Sequence, residues 1–220
     1  MDGNGRWATQ QGLPRLEGHK LGVHNIRPVV EMLSGYGVQY VTLYAFSTEN
    51  WNRPAEEVDG LMSILQGAIG RETKVLHNNN VRVIHLGRTD RISTELHGAV
   101  RYAEDLTQNN TGITLCVAFD YGGRVEILQA VTRMIEEGVS PDSVDEELFS
   151  HFLYTDGIPD PDLIIRTGGE LRLSNFLLWQ SAYSEYYTTQ TPWPALSSED
   201  IELAIEAYTS RQRRFGMIEA

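Results

Sequence analysis

Short apolar runs rich in β-branched residues alternate along the chain with longer amphipathic segments. The runs Tyr40–Phe46, Val81–Leu86, Ile113–Phe119 and Leu163–Arg166 have the length and composition of buried strands, and a short piece near Phe176–Trp179 reads the same way. Between them, Ile127, Val131, Met134 and Ile135 recur at helical spacing and predict one buried helix face, with Gly138 as the stop signal. Ser197-Ser198-Glu199-Asp200 is an N-cap region ahead of a stripe of Ile201, Ala204, Ile205 and Tyr208, which predicts a helix from Ser197 to about Arg214. Strand–helix alternation of this kind predicts an α/β fold with a mostly parallel central sheet flanked by helices. No repeat or linker interrupts residues 1–220, so a single domain is expected. Ligands in such folds gather at the carboxyl ends of strands. The polar, glycine-bearing segments Ser47–Arg53, Tyr121–Arg124 and Thr167–Glu170 each follow a predicted strand end.

Composition narrows the classes. With 220 residues, 41% of them hydrophobic, the chain can bury one sizeable core. Eighteen basic residues against 30 acidic ones give a net charge of -12, which argues against a nucleic-acid partner. Net charge does not describe a local site, and arginines gathered in one pocket still bind phosphates. Cys116 is the one cysteine and lies in the apolar run Leu115–Phe119, where a small core residue is expected rather than a reactive thiol. No apolar stretch approaches bilayer-spanning length, so a soluble cytoplasmic protein is expected, with contact at a membrane surface left open.

Three clusters carry candidate chemistry. In Met1-Asp2-Gly3-Asn4-Gly5-Arg6-Trp7-Ala8, the glycines allow close backbone approach to a ligand, and N–H groups at a helix start beside an arginine suit a diphosphate. Asp2 offers a hard oxygen ligand for a divalent metal; the same residues also read as a tight turn capped by Asp2. In Phe46–Arg53, polar side chains led by Ser47 and Asn50 follow an apolar strand beside Trp51, which reads as a site or as a helix-capping loop with an anchored tryptophan. In Asp160–Phe176, Arg166 ends a strand while Arg172 and Ser174 follow a glycine turn. Two guanidiniums and a hydroxyl converging on one point make a diphosphate clamp, the alternative being arginines bound to acidic neighbours such as Asp160 or Glu170. His19 and Glu185 are weaker candidates, for hydrogen bonding or acid–base work and for a second metal carboxylate.

Taken in order, Met1–Ala8, Gly18-His19, Tyr44–Arg53, Tyr121–Arg124, Asp162–Gln180 and Ala182–Glu185 resemble the cis-prenyltransferase (undecaprenyl diphosphate synthase) family, from Asp2 to about Gly216. The resemblance implies a Mg2+-dependent enzyme that condenses isopentenyl diphosphate onto an allylic diphosphate, works as a homodimer, and touches a membrane peripherally as product leaves. It implies catalytic roles for Asp2 and Asn50. It implies an allylic diphosphate site from Gly3, Asn4, Gly5, Arg6 and Trp7 with Arg15, and an isopentenyl diphosphate clamp from Arg166, Arg172 and Ser174. His19, Ser47, Thr48, Glu49, Trp51 and Arg53 match residues that position the reacting groups. Asp2 and Glu185 match the metal carboxylates, the latter given in the family by the partner subunit of a dimer, and Arg214-Phe215-Gly216 matches a tail that reaches across it.

The resemblance also implies that the small residue Ala45 leaves room for a long, undecaprenyl-like product. The chain departs from the family pattern in three places: the first strand, an apolar one usually ahead of the first motif, is expected to be missing through an internal start or a truncation of the chain, Asp120 stands where asparagine is often seen, and Gly168 stands where an Arg-Thr-Ser-Gly-Glu motif has serine. The alternative is a non-catalytic subunit of a heterodimeric cis-prenyltransferase, disfavoured by the joint presence of Asp2, Asn50, Arg166 and Arg172. The aspartate-rich motifs of trans-prenyltransferases and the glycine-rich loops of nucleotide binders do not occur.

Overall fold

The computed structural model describes residues 1–211. In chain order the elements are α1 (Asn4–Gln10), α2 (Arg15–His24), α3 (Ile26–Gly35), β1 (Tyr40–Ser47), α4 (Ala55–Asn78), β2 (Arg82–Leu86), α5 (Thr94–Thr107) and β3 (Thr114–Tyr121). They continue with α6 (Gly123–Glu136), α7 (Glu146–His151), β4 (Leu163–Arg166), β5 (Glu185–Thr188) and α8 (Ser198–Thr209). Two compact units result. The first comprises Met1–Tyr36, Asp160–Arg172 and the chain from Gln180 onward; the second comprises Gly37–Pro159 and Leu173–Trp179.

The second unit is built on a three-stranded parallel sheet in the order β1-β3-β2. β3 is central and carries Leu115, Cys116, Ala118, Phe119 and Tyr121, all buried, which is why it reads as a continuous apolar run rather than an alternation. One core cluster joins Phe46, Val58, Leu96, Val100 and Phe119; another joins Leu86, Cys116, Ala118, Tyr121 and Leu177. Burial raises the Cys116 thiol to about 11, so it is an inert core side chain as expected. The register of β1 against β3 breaks between Tyr44 and Phe46, and the intervening Ala45 is exposed.

The first unit holds the parallel pair β4-β5 with α1, α2, α3 and α8. α1 and α2 meet backbone to backbone: a Cβ on Gly18 would collide with the Asn4 carbonyl, and one on Gly22 with the Asn4 side chain. α8 begins as its sequence predicts. Ser197 caps it, Asp200 answers with a bond to the Ser197 N–H at 3.0 Å, and Ile201 and Ala204 are buried. The helix closes at Thr209, and Arg214-Phe215-Gly216 lies outside the described residues.

The parallel α/β pattern is as expected, with the strands divided between two sheets. Two local expectations are corrected. Phe176–Trp179 is not a strand: Ser174, Asn175 and Leu177 take φ of 50°, 65° and 43°, which turns the chain, and Leu177 is apolar because it enters the core. The fifth strand is Glu185–Thr188, whose Tyr-Tyr-Thr composition was the available signal. On α6, Val131 and Ile135 face solvent, and the buried side is Glu126, Ala130 and Met134. Glu126 tolerates burial because its carboxylate accepts bonds from the Tyr121 hydroxyl at 2.5 Å and the Tyr154 N–H at 3.0 Å. Among the described residues, no helix is long and apolar enough to cross a membrane.

His85 on β2 lies 2.9 Å from the Phe119 carbonyl through Nε2, and burial holds its imidazole below the ordinary value of 6.5. Such a histidine binds fewer protons folded than unfolded, so its contribution is complete above 6.5 and is lost as pH falls from there toward the lowered folded value. Urea midpoints measured at about pH 7.5 and about pH 5.5 are expected to be lower at the acid value, with a smaller difference in His85→Gln.

Candidate functional site

In the first unit, the amino-terminal motif meets the loop after β4. The Asp2 carboxylate accepts from Arg166 Nη2 at 3.0 Å and from the Gly3 N–H at 2.8 Å. Burial alone would raise its pKa, but the Arg166 and Gly3 hydrogen bonds outweigh it and hold the carboxyl below the usual range. Thr167, buried at the end of β4, closes a two-way clasp on the same residue: its hydroxyl accepts from the Asp2 N–H at 2.8 Å and donates to the Asp2 carbonyl at 2.9 Å. Gly3 takes φ +97°, and a Cβ there would lie 2.8 Å from Pro192 Cβ, so only glycine turns the chain into α1 at this point.

Arg6, Arg15 and Arg172 of this unit are also engaged. Arg6 donates to the Gly168 carbonyl at 2.8 Å and lies 3.4 Å from Glu170, whose second oxygen takes Arg172 Nη1 at 2.5 Å. The reading of Arg172 as an arginine held by an acidic neighbour is therefore its state in this structure. Arg15 lays its guanidinium against Gly5, where a Cβ would be 2.9 Å from Cζ. Asn4 Nδ2 donates to the Met1 carbonyl, Trp7 is half-buried on α1, and His19 stands on α2 next to the seam glycine Gly18. Glu185, at the start of β5, accepts from Arg211 Nη1 at 2.6 Å.

In the second unit, three loops converge. Ser47 and Asn50 form a reciprocal box on the short 3-10 turn Thr48–Asn52, with the Ser47 N–H on Asn50 Oδ1 at 3.0 Å. Glu49 accepts from Asn175 Nδ2 at 2.7 Å and from the Thr48 hydroxyl at 3.2 Å. Asn175 also takes the Arg124 N–H at 2.8 Å through Oδ1, capping α6 from a distant loop. A Cβ on Gly122 would lie 2.5 Å from Thr48 Oγ1, so the Tyr-Gly-Gly-Arg motif serves close loop packing. Trp51 Nε1 donates to Asp120 at 2.8 Å, and Arg53 pairs with Glu57 at 2.9 Å. Ser174 belongs to this unit, whereas Arg166 and Arg172 belong to the first, so the three side chains expected to form one clamp come from two units.

Residues 1–216 match the prenyltransferase family described as undecaprenyl diphosphate synthase. The chain belongs to that family. An isoprenyl transferase of Clostridium perfringens is 49% identical across 99% of this chain and 88% of its own length. The ditrans,polycis-undecaprenyl-diphosphate synthase of Escherichia coli, specific for (2E,6E)-farnesyl diphosphate, is 46% identical across 98% and 87%. Among solved structures, lavandulyl diphosphate synthase from Lavandula x intermedia, in complex with dimethylallyl diphosphate, superposes with a TM-score of 0.93 at 36% identity, covering 99% of this chain and 95% of that one. A probable undecaprenyl diphosphate synthase from Campylobacter jejuni gives 0.82 at 31% identity, covering 90% and 92%. The chain is thus a prenyltransferase, a class that generally uses a divalent metal.

Among the described residues of this undecaprenyl diphosphate synthase relative, no three His, Cys, Asp or Glu side chains cluster as a preformed metal cage. Mg2+ does not need one, because it commonly takes one or two carboxylates together with substrate phosphates and water. Asp2 and Glu185 fit that donor set, and each already holds a cationic guanidinium, from Arg166 and Arg211 respectively. Thr167 and Glu170 lie in the segment Thr167–Glu170 that the sequence marks at a strand end, but neither carried a site role of its own there, nor did Asn175 or Arg211. Thr167 sits inside the quoted Arg-Thr-Gly-Gly-Glu motif, where a hydroxyl at a strand end was a usable signal, while Arg211 had none. Thr167→Val, which keeps the shape and removes the clasp, is expected to lower unfolding free energy by about 1–3 kcal/mol in denaturant titration. It is also expected to slow prenyl transfer by about tenfold or more through displacement of Asp2.

Proposed function

We propose that the chain is a cis-prenyltransferase that condenses isopentenyl diphosphate units onto farnesyl diphosphate and makes an undecaprenyl-like polyprenyl diphosphate, a carrier-lipid precursor. The observation that carries this reading is the meeting of the Asp2 carboxylate and the Arg166 guanidinium at 3.0 Å. It joins the aspartate of the candidate allylic site to one arginine of the candidate isopentenyl diphosphate clamp.

In the proposed reaction, the allylic C–O bond breaks with its electron pair leaving on diphosphate. The double bond of isopentenyl diphosphate supplies the electrons of the new C–C bond, and loss of a proton from the adjacent carbon leaves a cis double bond. Backbone N–H groups around Gly3–Arg6, with Arg6 and Arg15, stabilise the charge on the departing diphosphate. In this reading Arg166 and Arg172, with Ser174, hold the isopentenyl diphosphate, His19 and the Ser47–Arg53 loop orient the reacting groups, and Asp2 and Asn50 take the catalytic roles. Mg2+, held by Asp2 with Glu185 as second carboxylate, would supply Lewis-acid neutralisation of diphosphate charge. The reading includes a homodimer, supported by the exposed apolar stripe Leu128, Val131 and Ile135 on α6. It also includes work in the cytoplasm with peripheral membrane contact as the water-insoluble tail departs.

Radiolabelled isopentenyl diphosphate with farnesyl diphosphate and Mg2+ is expected to enter an extractable product with this chain alone. Asp2→Asn is expected to cut incorporation by about a hundredfold or more. No incorporation by the unaltered chain would favour the non-catalytic subunit instead. The exposed Ala45 at the register break supports space for a growing tail. Ala45→Leu is expected to shorten the product, read by chromatography after dephosphorylation, and unchanged lengths would remove Ala45 from this role.

A further inference from the structure

Asp120 is fully buried at the end of β3, yet it carries a carboxylate where the family resemblance leads one to expect asparagine. Its charge is answered from 29 positions away in sequence: Arg91 Nε donates to Oδ2 at 3.0 Å, and Arg91 Nη2 contacts Oδ1. Oδ1 also receives the indole N–H of Trp51 at 2.8 Å. The Arg91 guanidinium lies over the same indole, with Cζ 5.4 Å from the ring centroid, and Phe46 meets the ring edge-on at 5.2 Å.

The pair therefore grips Trp51 twice, by its donor and by its face. Its own backbone is pinned as well. Asp120 takes φ 49°, in the left-handed region, and its carbonyl accepts the Arg88 N–H at 3.1 Å. Trp51 shares the turn Thr48–Asn52 with Asn50, whose side chain closes the box with Ser47, so the pose of the indole and the pose of Asn50 are mechanically linked. A buried ion pair adds little stability over apolar residues of similar shape, whereas loss of one partner leaves a charge stranded.

We propose that Asp120 and Arg91 are positioning residues for the prenyl-transfer reaction, acting through Trp51 to set the Ser47–Arg53 loop. The kinetic part of this inference rests on the proposed function; the optical part does not. Asp120→Asn keeps an acceptor for the indole and removes the charge, Arg91→Gln strands the carboxylate, the double variant restores neutrality, and Arg91→Lys keeps the cation.

Near-ultraviolet circular dichroism of each, in the unaltered chain and in a Trp51→Phe background, isolates the Trp51 signal. Arg91→Gln is expected to change the tryptophan bands only when Trp51 is present and to lower kcat by about tenfold. Substrate KM is expected to stay within about twofold. The double variant is expected to recover most of both, and Arg91→Lys to retain part of the signal. Tryptophan bands that respond equally in the Trp51→Phe background, or losses that multiply in the double variant, overturn the inference. An unaltered chain that transfers no prenyl group overturns the proposed reaction instead, and the optical comparison still decides whether the pair orients Trp51.

Discussion

The ion pair between Asp2 and Arg166 joins two parts of the sequence separated by 164 positions, and the candidate chemistry depends on it. A carboxylate this close to a guanidinium stays ionised well into the acid range, because the hydrogen bonds to Arg166 and Gly3 outweigh the cost of partial burial. The pair does not stand alone. Thr167 grips the Asp2 backbone on both its polar groups, and the Trp193 N–H reaches the same carbonyl at 2.9 Å. Asp2 is thereby over-determined in position, which a residue at the start of a seven-residue helix would not be from its own helix alone.

The second unit solves a related problem with different means. Its loops hold one another by polar side chains that reach across sequence: Asn175 to Glu49 and to the start of α6, Trp51 to Asp120, Asp120 to Arg91. Glycines at 122 and 123 remove the side chains that would hold these segments apart. The sheet beneath supplies the rigidity, with β3 buried along almost its whole length. Adaptable groups sit on loops and the invariant geometry sits in the strands, the usual division in α/β enzymes.

Periodicity exposed the strands of the sheet and the long helices because burial on both faces leaves an apolar run and burial on one leaves a stripe. It misjudged Phe176–Trp179, where apolar residues reach the core through positive φ angles rather than through an extended chain. It also misjudged the inward face of α6, because Glu126 counts as polar in any pattern and becomes a core residue only once Tyr121 and Tyr154 supply its hydrogen bonds. Around Asp2, Arg166 and Arg6 lie in one neighbourhood of the first unit, Arg166 through its ion pair with Asp2 and Arg6 through the Gly168 carbonyl, and the motifs that carry them could be read in the sequence. The partners Arg91, Asn175 and Arg211 were illegible, since an ion pair or cap between distant loops leaves no local trace in sequence.

The glycine seam between α1 and α2 has a mechanical consequence for the candidate diphosphate cradle. With no side chain between the Asn4 carbonyl and Gly18, the two helices have no compressible layer along which to slide. Arg15, resting on Gly5, travels with the same block. Under the elongation proposed above, the cradle has to present one shape from one cycle to the next, and a seam of bare backbone favours that constancy without a hinge.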